Sequence, residues 1–343
     1  MRNYILFLVL LFIQNFLFSQ DVEKKKNNSR LAYNTALENI RSANYEVALS
    51  YLDASIELNP GFTEALIQRA KVKVELGMIK QALDDFLFAA QMNDKNGEPF
   101  FYIGYLQFNG DTGQNIINNF NLAIQKGYKT PQAFYNRGLY KLLMKDFSSS
   151  IEDFTTAISL QENLPFAYHD RGIAKYGLGD LQGALQDFRQ ATNFNHDFPV
   201  AFINMGTIKT ELRDYAGAIE DYSVALSLKP ELYAAYNGRG SAKYLLGNIK
   251  EALEDFNQAL TLVDQYNPAS NNKACSLIKN DNFNEALTIL NDVIASGNTF
   301  SKAYLNRGLV KELLGDVDGA CSDWKKALEL GVTEAQNYIK ECK

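Results

Sequence analysis

Small and bulky apolar residues follow one another along this chain on a 34-residue spacing that never slips. Counted as positions 1 to 34 from Ser29, position 8 is Ala36, Ala70, Gly104, Gly138, Gly172, Gly206, Gly240, Ala274 and Gly308. Position 24 is Leu52, Phe86, Phe120, Phe154, Phe188, Tyr222, Phe256, Leu290 and Trp324. Positions 4, 7, 8 and 11 share one stripe of a helix, and positions 17, 20, 24, 27 and 28 share another. Between the stripes stand pairs such as Gly179-Asp180, Gly247-Asn248 and Gly315-Asp316. The glycine ends a first helix, and the Asp or Asn caps a second. A small residue facing a large one predicts two closely packed helices per unit. No alternating strand pattern of useful length competes. The expected fold is all-α: nine helix-turn-helix repeats over residues 29–332, stacked so that each touches only its neighbours.

The flanks differ in kind. Residues 1–19 carry one charge, Arg2, and an interrupted apolar run. They read as a signal peptide cleaved near Ser19, with an uncleaved anchor as the alternative. Such a run is short for a membrane span of about 20 residues. Residues 20–28 form a charged lead-in, and residues 333–343 a capping helix over the last core face. The chain is therefore expected to be exported, periplasmic or secreted, where cysteines oxidise. Cys321 lies ten residues before Gly331 and Cys342 eleven after it. If Gly331 turns the chain between antiparallel helices, the two sulfurs come level, which predicts a Cys321–Cys342 disulfide. Cys275 is left as a buried or half-buried free thiol.

Charge adds a second pattern. Position 23 is Asp85, Asp153, Asp187, Asp221, Asp255 and Asp323; position 11 of the same six repeats is Lys73, Lys141, Lys175, Lys209, Lys243 and Lys311. Position 7 adds Arg69, Arg137, Arg171, Arg239 and Arg307, with Met205 in the sixth. Repeats one, three and eight lack both the Asp and the position-11 Lys. Positions 7 and 11 share a helical face, so each carboxylate is expected to sit between two cations and lock its helix pair. Catalysis needs one perturbed group in a pocket, and six copies in a row argue for structure instead. A net charge of −6 leaves no basic stripe for nucleic acid.

These residues carry a resemblance. With Tyr or Phe at position 4, Gly or Ala at 8, Ala at 20, a bulky residue at 24 and Ala at 27, the chain resembles tetratricopeptide repeat proteins. It departs at position 32, where the family's proline occurs only as Pro60 and Pro230. The resemblance implies a right-handed superhelical solenoid whose first helices line a concave groove. It places positions 2, 5, 6, 9, 12 and 13 in that groove. Partner-binding candidates are then Phe101, Tyr102, Tyr105, Tyr135, Asn136, Leu139, His169, Asp170, Tyr176 and Asn204. Packing of many of these aromatics between repeats is the competing reading. The basic clamp of the family's chaperone-tail binders is missing, since the pairs at positions 5 and 9 read Tyr33/Leu37, Ile67/Lys71, Phe101/Tyr105 and Tyr135/Leu139.

The remaining residues offer little other chemistry. His169 and His196 are the only histidines, and no Cys/His set has zinc spacing. His169 reads as a surface imidazole in the groove. The glycines of Gly177–Gly183 fall at a turn between helices, with no strand before them, so they make no phosphate loop. No cofactor and no catalytic constellation is expected. The function read from the sequence is a non-enzymatic scaffold or adaptor of the cell envelope that binds polypeptide segments. A chaperone or assembly factor for unfolded clients is one alternative, and a glycan-binding module is another.

Overall fold

The computed structural model describes residues 2–110, 115–297, 300–340 and 342, with side chains from residue 18 onward. Most of the proposed signal segment therefore lies outside the described side chains. The described residues are helical throughout, with no strand among them. They divide into two compact units, Met1–Glu162 and Asn163–Lys343.

The first unit holds four hairpins: α1 (Arg2–Arg41) with α2 (Tyr45–Leu58), α3 (Thr63–Glu75) with α4 (Ile79–Met92), α5 (Glu98–Asn109) with α6 (Ile116–Gln125), and α7 (Pro131–Leu143) with α8 (Phe147–Leu160). The second holds five: α9 (Pro165–Gly177) with α10 (Leu181–Phe194), α11 (Pro199–Glu211) with α12 (Tyr215–Leu228), α13 (Tyr233–Leu246) with α14 (Ile249–Leu262), α15 (Asn267–Lys279) with α16 (Phe283–Ala295), and α17 (Ser301–Leu313) with α18 (Val317–Glu329). A 3-10 turn, Thr333–Ala335, and the short α19 (Gln336–Ile339) close the chain against α18. Within each unit every helix packs on its sequence neighbours, and α11, α13, α15 and α17 also touch in succession.

The helix starts and stops have local causes. Asp146, Asp180, Asp214 and Asp316 each accept a bond from the backbone N–H three residues on, at 2.9 to 3.3 Å. Asn248, expected to cap α14 in the same way, makes no side-chain cap bond. The third helical residue differs between these helices. A Cβ on Gly183, Gly217 or Gly319 would collide with the capping carboxylate, and α14 has Glu251 there. Ser149, which does have a Cβ, leaves the longest of the four cap bonds. Between helices the chain turns through left-handed backbone. Gly179, Gly247 and Gly315 hold φ of 80 to 96°, and Lys145 and Arg213 accept φ near 60° at the equivalent position despite their side chains.

The core follows positions 8 and 24. Phe86, Phe120, Phe154 and Phe256 are fully buried, and Trp324 nearly so. At Gly138, Gly172 and Gly240 the ring of position 24 lies so close that a Cβ would stand 2.7 to 2.9 Å from it. Glycine thus sets the distance between the two helices of these hairpins. At the C-terminal end, Trp324 stacks on Tyr338 at 5.1 Å. A disulfide joins Cys321 to Cys342, with Cα atoms 5.7 Å apart. Cys275 is half-exposed as a residue, and burial of its sulfur pushes the thiol pKa up to about 11.

Candidate functional site

The charged side chains form a repeated three-way contact. Arg239 forks onto Asp255, Nε to Oδ2 at 2.9 Å and Nη2 to Oδ1 at 2.7 Å, while Lys243 Nζ stands 2.7 Å from Oδ2. Asp85, Asp153, Asp187 and Asp323 are held the same way by Arg69/Lys73, Arg137/Lys141, Arg171/Lys175 and Arg307/Lys311. Arg137, Arg171, Arg239 and Arg307 also lie over the position-4 rings of Phe134, Tyr168, Tyr236 and Tyr304, at 5.4 to 5.7 Å. One link has no counterpart in the sequence pattern. The remaining nitrogen, Nη1, donates to position 25 of the preceding hairpin: Asp53 from Arg69, Asn121 from Arg137, Ser223 from Arg239 and Asn291 from Arg307. The guanidinium therefore ties successive hairpins together as well as closing its own.

The sixth carboxylate, Asp221, is different. Met205 replaces its arginine, and position 25 of the preceding hairpin is Arg189. Lys209 Nζ comes to 2.7 Å from Oδ2, out of line for a hydrogen bond. Burial raises the Asp221 pKa above its ordinary value, against the pull of Lys209 and Arg189.

The groove candidates separate into core, support and open surface. Phe101 is core: it is buried with Ile116, Phe120, Ala123 and Ala133, which corrects its assignment to the groove. Tyr102 is half-buried and stacks on Phe86 at 4.9 Å. Tyr105 is exposed and lies beside Phe101. Tyr135 leans on Phe154 at 5.8 Å, Asn136 donates to Gln132 O in its own helix, and Leu139 is half-buried.

In the second unit the candidates meet. His169 is buried against Phe188 and Phe198, which corrects its reading as a surface imidazole. Its Nδ1 lies 2.9 Å from Asp170 Oδ1, and Asn204 Nδ2 lies 3.1 Å from its Nε2. With Asn204 as donor, Nε2 accepts and Nδ1–H donates to the carboxylate. The same 35-residue link recurs where Asn272 donates to Asn237 and Asn306 to Asn271. The position-6 amides Asn204, Asn272 and Asn306 thus bind the first helix of the preceding hairpin, and the Asn204 carbonyl oxygen is left as an acceptor.

Beside Asn204 lies a cavity of about 190 Å³, lined by Ile173, Tyr176, Phe188, Asn204, Thr207 and Ile208. Thr207 Oγ1 lies 3.1 Å from the Tyr222 hydroxyl. The Tyr176 hydroxyl donates to Glu211, and that bond helps push its pKa up to about 12. Glu211 escaped the sequence reading, although it stands at position 13, one of the groove positions. The site combines an apolar wall, a carbonyl acceptor and two carboxylates, Asp170 and Glu211. That chemistry fits an apolar side chain on a polar backbone. Among the described residues, no group of three His, Cys, Asp or Glu is placed to hold a metal ion.

This arrangement defines a protein of stacked helical hairpins. Tetratricopeptide repeat family models match residues 131–164 and 204–268, so the chain carries tetratricopeptide repeats. Solved structures agree on the fold. A tetratricopeptide repeat protein from Parabacteroides merdae is 17% identical, with a TM-score of 0.60 over 72% of this chain and 98% of its own. The Cut9–Hcn1 hetero-tetramer of the APC/C yields a match at 12% identity and a TM-score of 0.57, over 91% of this chain and 75% of that one. YrrB, described as a tetratricopeptide repeat protein with an unusual peptide-binding site, matches at 20% identity and a TM-score of 0.50, over 54% of this chain and 95% of its own. No curated protein matches the chain.

Proposed function

We propose that the chain is a non-enzymatic scaffold of the cell envelope that holds extended polypeptide segments through the cavity at Tyr176 and Asn204. The observation that carries this is the cavity itself. It is apolar, has room for about one side chain, and stands next to the free carbonyl acceptor of Asn204. Asp170 and Glu211 favour a basic residue beside the inserted one. The description of YrrB as peptide-binding supports the same reading. In this reading the 34-residue frame runs as nine repeats over 29–332. The buried carboxylates serve structure, and the chain performs no chemistry of its own.

A randomised peptide library tests the site. The expected selection is an apolar residue next to Lys or Arg. Tyr176→Ala and Asn204→Ala should each weaken the selected peptide about tenfold, with helical content unchanged. Selection that ignores both substitutions would sink the reading.

Export is the other half of the proposal. Its supports are the segment 1–19 and the Cys321–Cys342 disulfide, a bond that persists in oxidising compartments. Cell fractionation should recover the chain from the envelope, starting after Ser19. Recovery from the cytosol with residues 1–19 still attached contradicts it.

A further inference from the structure

The hairpin α15–α16 has lost a set of side chains that the other hairpins of its unit keep. In those hairpins position 4 is a ring and position 30 is large. Tyr168 stacks on Phe194 across these two positions, with ring centroids 5.6 Å apart. In three of those four hairpins position 7 also lays an arginine over the ring, as Arg239 does over Tyr236 and Arg307 over Tyr304; α11 has Met205 there. In α15–α16 the same positions are Ser270, Ser296 and Lys273, and the position-23 carboxylate has become Ile289. Where the ring and guanidinium would lie there is a cleft of about 720 Å³.

We propose that this cleft receives an aromatic side chain from a polypeptide partner, next to an arginine or lysine of the same segment. The apolar part of its lining is Leu260, Ile289 and Val293, and a guest ring restores the apolar contact that Ser270 and Ser296 give up. Charge favours a basic neighbour: Asp264 and Asp292 stand in the lining against one cation, Lys273. Asn257 supplies an acceptor. It holds position 25, where Asn121 and Asn291 each take an arginine Nη1, and no arginine of the chain follows it at position 7. The cleft shares no lining residue with the cavity at Tyr176, so it is a second site and stands or falls separately.

The test compares a fluorescently labelled arginine-tyrosine-arginine tripeptide with arginine-alanine-arginine by anisotropy, using the whole chain. The tyrosine peptide should bind about tenfold more tightly. Ser270→Tyr rebuilds the arrangement of the sister hairpins, and it should abolish that preference while raising the melting temperature. Ser296→Leu fills the cleft from the opposite wall and should act alike, all three proteins being compared in the Tyr176→Ala background so that the first cavity does not contribute. Equal binding of the two peptides, binding of neither, or a preference that survives both filling variants in folded protein overturns the proposal.

Discussion

Replacing Phe256 by alanine is expected to cost about 3–5 kcal/mol of stability, at the upper end of what one truncation can do. The ring is fully buried in the hairpin α13–α14, where it rests against Gly240, and Ala252 and Ala259 are buried on the same helix. Glycine and alanine have no rotamers with which to fill the space left behind, so the hole persists and its cost adds to the lost transfer energy. The loss should begin locally, because a stack of hairpins is held by neighbour-to-neighbour contacts. Hydrogen exchange should therefore quicken first in α13 and α14, and later in α9 and α10. Urea unfolding supplies the magnitude. A loss below about 1 kcal/mol would mean that the pairing of positions 8 and 24 is not what holds the hairpins shut.

That pairing was plain in the sequence because it is a local matter. Positions 8 and 24 belong to one hairpin, and a glycine or alanine repeated opposite a ring has few meanings other than close helix packing. The carboxylates of position 23 and the lysines of position 11 were legible for the same reason: they are present or missing together. Contacts that cross from one hairpin to the next were harder to see. The Nη1 bond to position 25 accepts Asp53, Asn121, Ser223 or Asn291, so no single residue type marks it. His169 read as surface because its burial comes from Phe198 and its partner Asn204 lies 35 residues on. Phe101 read as groove because its position faces outward in the resembled family, yet here Phe120 and Tyr128 close over it. The division at residues 162–163 leaves no mark at all, since the period runs through it unchanged.

The charged contacts give the second large effect, and two of them give unequal expectations. Asp255→Asn should destabilise the chain by about 2–3 kcal/mol near neutral pH. The Asp255 side chain is 5% exposed, and it accepts both arms of Arg239 and faces Lys243. The amide keeps the shape, loses the charge, and turns one acceptor into a donor aimed at two cations. Asp221→Asn should cost well under 1 kcal/mol. Here burial already favours the uncharged form, since the folded carboxyl has a raised pKa. A carboxyl raised in this way binds its proton more readily folded than unfolded. Its contribution to stability is therefore most favourable in acid and declines as pH rises past the ordinary carboxylate range. Removing the charge at pH 7 relieves that cost and offsets the lost attraction of Lys209. The decisive comparison is between the two variants by urea unfolding at pH 7. A gap of about 2 kcal/mol in the stated direction ties the energy to the arginine fork. Equal losses would show that the lysine alone holds the carboxylate, and that the arginines are spent on the rings beneath them.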